Sequence, residues 1–248
     1  MIIDAHVHIK GGDYARREFD AETTLTCARK AGIDYSCVFS ICLPSYDSNE
    51  LTRHTVQGHD RLIPFAHVLP EEGIQARIEL ERAVEQLGFR GLKLHCGEVR
   101  GEVTPELFIP YLQQAAAYRL PIIFDCIDRP AVAEACAKAV PQAYLVMAHL
   151  GSSSDQFMVD RFLGIAYAHD NVWLDTGYCF SPWKIADALR LLGPSKLIFG
   201  SDAGGAYYPP AIEMAKLRAY VHEPQALESI LCGNIAAMLA DAGWVPPR

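Results

Sequence analysis

The sequence predicts an α/β fold, a (β/α)8 TIM barrel that runs over residues 1–248 as a single domain with extra C-terminal helices. Three observations carry this: a length of 248 residues, eight apolar runs rich in β-branched side chains, and amphipathic segments between them. The runs begin near Ile2, Tyr35, Leu62, Gly91, Pro121, Ala143, Asn171 and Lys196, with starts 22 to 33 residues apart. Each interval fits one strand, one helix and two short loops, and none leaves room for a second domain.

Taken in order, the first run holds Met-Ile-Ile-Asp-Ala-His-Val-His and reads as a strand. Asp20 then caps a helix over Ala21–Ala31, and Gly32 stops it. Between the third and fourth strands, 72–87 predicts a helix whose apolar face is Ile74, Ile78, Ala83, Val84 and Leu87, with Gly88 closing it. Pro110 is expected in a first turn, which would start the next helix near Ile109. Runs such as 145–148 and 197–199 are apolar throughout, as strands buried on both faces of a parallel sheet should be. No G-x-G-x-x-G turn follows the first strand, so a closed barrel is favoured over an open doubly wound sheet. Beyond the eighth strand, 209–220, 224–231 and 234–240 predict terminal helices.

Composition narrows the function. The formal net charge is −8, and no Lys/Arg cluster is interleaved with aromatics, which argues against nucleic acid as principal partner. The longest apolar stretches, 120–126 and 143–150, fall far short of the ~20 residues of a membrane-spanning helix. The N-terminus has no signal-peptide pattern, and the eight cysteines form no C-x-x-C pair. A cytoplasmic enzyme with reduced thiols is the expectation.

In such a barrel the chemistry gathers at the C-terminal ends of the strands. Those ends here carry His6 and His8 on strand one, Lys93 and His95 on strand four, Asp125 on strand five, His149 on strand six and Asp202 on strand eight. His6 and His8 are two apart, so both rings face the same side and can reach one ion. An H-x-H pair is weak by itself, since strand histidines also serve as core residues. His149 and Asp202 at matching ends strengthen it, because imidazole plus carboxylate suits a Zn, Mn or Fe site with an open position. His54, His59, His169 and His222 fall in or near helices and read as surface residues, whereas His67 reads as packing or a structural hydrogen bond. Cys96, Cys126 and Cys179 read as bystanders; for Cys126 the adjacent Asp125 carboxylate disfavours a thiolate.

Six segments in order, 3–8, 91–95, 120–125, 147–151, 199–202 and 232–234, make the chain resemble the amidohydrolase superfamily, in particular its amidohydrolase 2 branch of small metal-dependent barrels. The resemblance implies a divalent metal, Zn foremost with Mn or Fe as alternatives, held by His6, His8 and Asp202. It implies hydrolysis of an amide, lactone or ester bond by a metal-activated water, with Asp202 accepting the proton and His149 holding the water or the oxyanion. The branch also contains non-oxidative decarboxylases that use the same site. One departure stands out: the family places a histidine ligand at the end of strand five, where this chain has Asp125. Asp125 either ligates the metal, favouring a harder ion, or orients a ligand from behind. Lys93 either bridges two metals as a carboxylated lysine or pairs with a carboxylate or anionic substrate, while His95 binds substrate or replaces the missing ligand.

Substrate contacts are expected from Lys93, His95, Arg100, Arg129 and Tyr178, with Lys10, Tyr14, Trp183, Tyr207 and Tyr208 as further loop candidates. Arg100, Arg129 and Lys93 together would suit a small carboxylate. A homo-oligomer whose neighbour helps close the site fits the short loops. The rival from another class is a degenerate barrel that binds without catalysing.

Overall fold

The computed structural model describes residues 1–9, 19–204 and 209–247. Lys10, Tyr14, Tyr207 and Tyr208 lie outside the described residues. The predicted α/β alternation is present, with parallel strands throughout.

Strand β1 (Ile3–His8) pairs with β2 (Tyr35–Phe39), which pairs with β3 (Leu62–Pro64). A second sheet runs in sequence order through β4 (Ala66–His67), β5 (Leu92–His95), β6 (Pro121–Asp125), β7 (Tyr144–Met147), β8 (Val172–Asp175) and β9 (Leu197–Ile198). The expected third strand is thus two segments, β3 and β4, divided at Phe65. The backbone changes partner there: Phe65 N–H donates to Val38, and Ala66 N–H to Gly91. Gly91 is required at this switch, because a Cβ on it would lie 2.3 Å from the Phe65 ring.

The two sheets also meet on their other edge. Past β9 the chain runs alongside β1, with Ala5 N–H donating to the Phe199 carbonyl (3.0 Å), His8 N–H to Ala203 (2.8 Å) and Asp202 N–H to His6 (2.8 Å). Asp4 secures this edge from inside: its carboxylate accepts the Ser201 amide at 2.9 Å and the Ser201 hydroxyl at 2.5 Å. Burial pushes the Asp4 carboxyl up to about 7, against the pull of those hydrogen bonds.

Several helix readings hold. Helix α1 (Ala21–Ala31) is capped by Asp20, which accepts the Thr23 amide at 2.8 Å, and ends at Gly32 in the left-handed region. The terminal helices α8 (Pro210–Tyr220) and α10 (Asn234–Asp241) follow the expected boundaries closely, while α9 (Pro224–Glu228) stops three residues short and passes into a π-helical turn, Ser229–Gly233. Two further details differ. Helix α4 (Pro105–Ala117) has Pro110 inside it, because Pro105 already takes the first-turn place where a missing N–H costs nothing. Helix α3 (Ile74–Glu85) buries Ala76, Glu79, Leu80 and Ala83, leaving Ile74 and Ile78 exposed. Small alanines bring that helix close to the sheet, and Glu79 is satisfied by Asn49 at 2.9 Å and Arg82 at 2.7 Å, so the polar residue faces inward.

The inward strand face alternates with the helix-facing one. Ile123, Val146 and Ile198 point inward and pack with Ile235, Met238 and Leu239 of α10, which plugs one end. Asn234 at the start of α10 donates to the carbonyls of Pro194 (2.8 Å) and Leu197 (2.7 Å), anchoring the approach to β9. Replacing Asn234 with Ala leaves both carbonyls without this donor and should cost about 1–3 kcal/mol. Urea unfolding followed by circular dichroism measures this; an unchanged midpoint would remove the anchoring role.

Candidate functional site

The strand ends opposite α10 bring the polar residues together. In β5 and β6, the register sets Lys93 beside Ile123 and His95 beside Asp125, so both pairs project inward. His6, His8, Lys93, Asp125, His149 and Asp202 are all buried. His149, Tyr178 and Asp202 adopt left-handed backbone conformations at φ 60°, 50° and 56°. Such conformations are costly for residues with a Cβ and cluster at functional sites.

Two imidazoles and a carboxylate share one focus: Asp202 Oδ1 lies 3.0 Å from His8 Nε2 and 3.3 Å from His6 Nε2. Their ligand-type atoms all fall within 4.8 Å of one another. The His6 ring is stacked between its neighbours, 5.4 Å from His8 and 5.1 Å from His149. Two nitrogens and one oxygen with an open side match the donor set of a catalytic divalent-metal site.

Asp125 stands on the other side of the cluster. Its Oδ2 lies 3.2 Å from His95 Nε2, 3.5 Å from His149 Nε2 and 3.6 Å from Lys93 Nζ, and it belongs to neither compact ligand group found among the described residues. Asp125 thus faces His95, His149 and Lys93. His95 accepts the Gly97 amide through Nδ1 at 2.9 Å, which leaves its Nε2–H to face Asp125. Asp125 Oδ1 is buried without a hydrogen-bond partner among the described residues.

The residue missed from the sequence is Asp175, at the end of β8 and fully buried. Its Oδ2 accepts from His6 Nδ1 at 2.8 Å, while its Oδ1 accepts the amides of Gly177 (2.9 Å) and His149 (3.2 Å). The Gly177 carbonyl in turn faces His149 Nδ1 at 3.1 Å. One carboxylate therefore fixes the His6 ring directly and the His149 turn through the backbone. His6 is left with Nε2 at the focus, the arrangement in which outer partners hold metal-binding histidines, while His149 Nε2 is turned toward Asp125. The run Leu174-Asp175-Thr176-Gly177 satisfied the same strand-end test as the other residues and could have been found by it.

Charges follow from these contacts. Burial lowers His6 well below the usual imidazole range, with Lys93 adding to the effect. For His149, burial is overcome by Asp125, Asp202 and Asp175, which raise it to about 9. Asp202 and Asp125 are held well below the usual carboxylate range although burial opposes this, the first by His8, His6 and His149, the second by His95, Lys93 and His149.

Among the remaining candidates, the Tyr178 ring meets His149 edge-on at 5.5 Å. Arg100 lines a cavity of about 550 Å³ with Cys42, Leu69, Glu71 and Glu98, beside the turn that leaves His95. Arg129 donates to the Ile127 carbonyl at 3.2 Å, and Trp183 is exposed and turned to Gln156. His67 Nε2 lies 2.7 Å from Glu98 Oε2, and its Nδ1 lies 3.3 Å from the Lys93 carbonyl. Burial raises the thiols of Cys96, Cys126 and Cys179, which suits bystanders.

Residues 3–240 match the family model described as amidohydrolase, Amidohydro_2. The chain belongs to this amidohydrolase family. No curated protein matches it. Among solved structures it is similar to 5-carboxyvanillate decarboxylase LigW from Sphingomonas paucimobilis, at 16% identity and TM-score 0.75, with 96% of this chain and 98% of that one covered. It is also similar to a probable 2-pyrone-4,6-dicarboxylic acid hydrolase from Acinetobacter baumannii, at 15% and 0.72, with 96% and 99% covered. A dihydroxybenzoic acid decarboxylase from Polaromonas sp. JS666, with bound manganese and the inhibitor 2-nitroresorcinol, aligns at 15% and 0.71, with 96% of each chain covered. These likenesses establish the barrel fold. Among the described residues, no helix is long and apolar enough to cross a membrane.

Asp175→Ala should weaken divalent-cation binding about 10–100-fold while the barrel stays folded. Calorimetric titration with Mn²⁺ or Zn²⁺ measures it, and wild-type affinity in the variant would remove Asp175 from its positioning role.

Proposed function

We propose that this amidohydrolase is a divalent-metal-dependent hydrolase that cleaves a C–O or C–N bond next to a carbonyl in a small molecule. The observation that carries the reading is the focus formed by His6, His8 and Asp202, backed by Asp175. These residues would hold the ion; the nitrogen-rich donor set favours Zn, and the manganese of the Polaromonas relative supports Mn as the alternative. When bound, such an ion polarises a carbonyl and makes water more acidic.

The chain's own groups supply the rest. Asp202, kept ionised by the imidazoles around it, accepts the proton of the attacking water. His149, whose Nδ1 is tied to the Gly177 carbonyl, presents Nε2–H to the negative charge that develops on the substrate oxygen. Asp125 lies 3.5 Å from the same Nε2, on the side where the substrate oxygen would approach, and balances the charge of the ring. Tyr178 and His95 border the reacting group, and Arg100 meets a substrate arm extending into the neighbouring cavity.

One observation favours a second reading. An imidazole that keeps its proton beside a buried carboxylate can also deliver that proton to a carbon, as non-oxidative decarboxylation requires.

Activity on a panel of lactones, amides and aromatic carboxylates should disappear after chelation and return with Zn²⁺ or Mn²⁺. Carbon dioxide release from a turned-over substrate would select the decarboxylase. Asp202→Asn should lower kcat by at least about 100-fold in a protein that still folds, as circular dichroism would show. Full activity in that variant would exclude Asp202 as the base, and a chain that binds no metal after reconstitution would favour a binding barrel.

A further inference from the structure

We propose that Lys93 is a built-in competitor for the metal seat: its ammonium takes the His6 lone pair that a divalent ion needs, and so sets how tightly the site holds that ion. The inference rests on the reading of His6, His8 and Asp202 as metal ligands.

Lys93 is fully buried in the middle of β5, with its side chain directed inward. Its Nζ lies 2.8 Å from His6 Nε2, 3.6 Å from Asp125 Oδ2 and 4.9 Å from the centre of the Phe39 ring. His6 Nδ1 already faces Asp175, so its ring proton belongs on that side and Nε2 carries the only lone pair. An ammonium has three donors and no acceptor, so Lys93 donates to that lone pair. A metal ion needs the same pair of electrons, and His6 Nε2 cannot serve both. Two cations meeting at this distance in a buried site also repel strongly.

The surroundings explain how the ammonium is tolerated and where it can go. The Asp125 carboxylate and the Phe39 ring face compensate the buried charge. Asp125 Oδ1 has no hydrogen-bond partner among the described residues, which offers the ammonium a second acceptor when an ion takes its place on His6. The Asp at this strand end then has a role of its own: it receives the displaced lysine, which a histidine at the same position would repel when protonated.

The alternative is a carboxylated Lys93 that ligates the metal, and the two readings give opposite results. Dissociation constants for Mn²⁺, followed by electron paramagnetic resonance, and for Zn²⁺, followed with a competing chromophoric chelator, are measured for the wild type, Lys93→Met and Lys93→Gln. Folding of each protein is checked by circular dichroism and thermal melting. Competition predicts that Lys93→Met binds both ions about tenfold or more tighter than the wild type. It also predicts that added bicarbonate does not strengthen wild-type binding, an arm that requires no variant. Weaker or unchanged binding in the folded variants overturns the proposal, as does wild-type binding that bicarbonate strengthens. If neither the wild type nor the variants bind an ion, the metal reading itself fails and takes this inference with it.

Discussion

The hydrogen bond from the Asp202 amide to the His6 carbonyl is the contact on which the site depends. It belongs to the edge where the segment after β9 lies along β1, and nothing in the local sequence of either strand demands it. Once that edge forms, the side chains of His6, His8 and Asp202 are delivered to one focus by residues nearly two hundred positions apart. Asp4 and Ser201 hold the same edge through buried hydrogen bonds, so fold closure and ligand convergence are a single event.

Around that focus the chain has buried more charge than a stable core requires. Three carboxylates, four imidazoles and one ammonium are arranged so that each carboxylate meets at least one positively charged or hydrogen-donating partner. Removing a single member leaves its partner uncompensated in a poorly solvated place, where the penalty is large. The same property makes the cluster suited to chemistry, because buried charges act on a reacting group with little screening.

Most of the barrel could be read from the chain because its strands are apolar throughout and its spacing is regular. Strand-end logic located His6, His8, Lys93, His95, Asp125, His149 and Asp202. It would have reached Asp175 as well had the test been applied to the seventh strand. What escaped the reading has local causes. The break at Phe65 arises from a change of backbone partner, which leaves no mark in side-chain character. The inward face of α3 differs from the one periodicity predicts because Glu79 finds partners that no periodicity reveals, and the two large isoleucines lie exposed. The grouping of Asp125 with His95 and His149, apart from the strand-one pair, depends on side-chain distances that only coordinates supply.

The division of the wall into two sheets matters beyond topology. His6 and His8 ride on the smaller sheet, while His149 and Asp175 sit at the ends of the larger one and Asp202 on the extension beyond it. An ion gripped by donors from both would act as a staple across the join, stiffening the cylinder where its ladder is most interrupted. Loading the site and consolidating the scaffold would then be mechanically coupled.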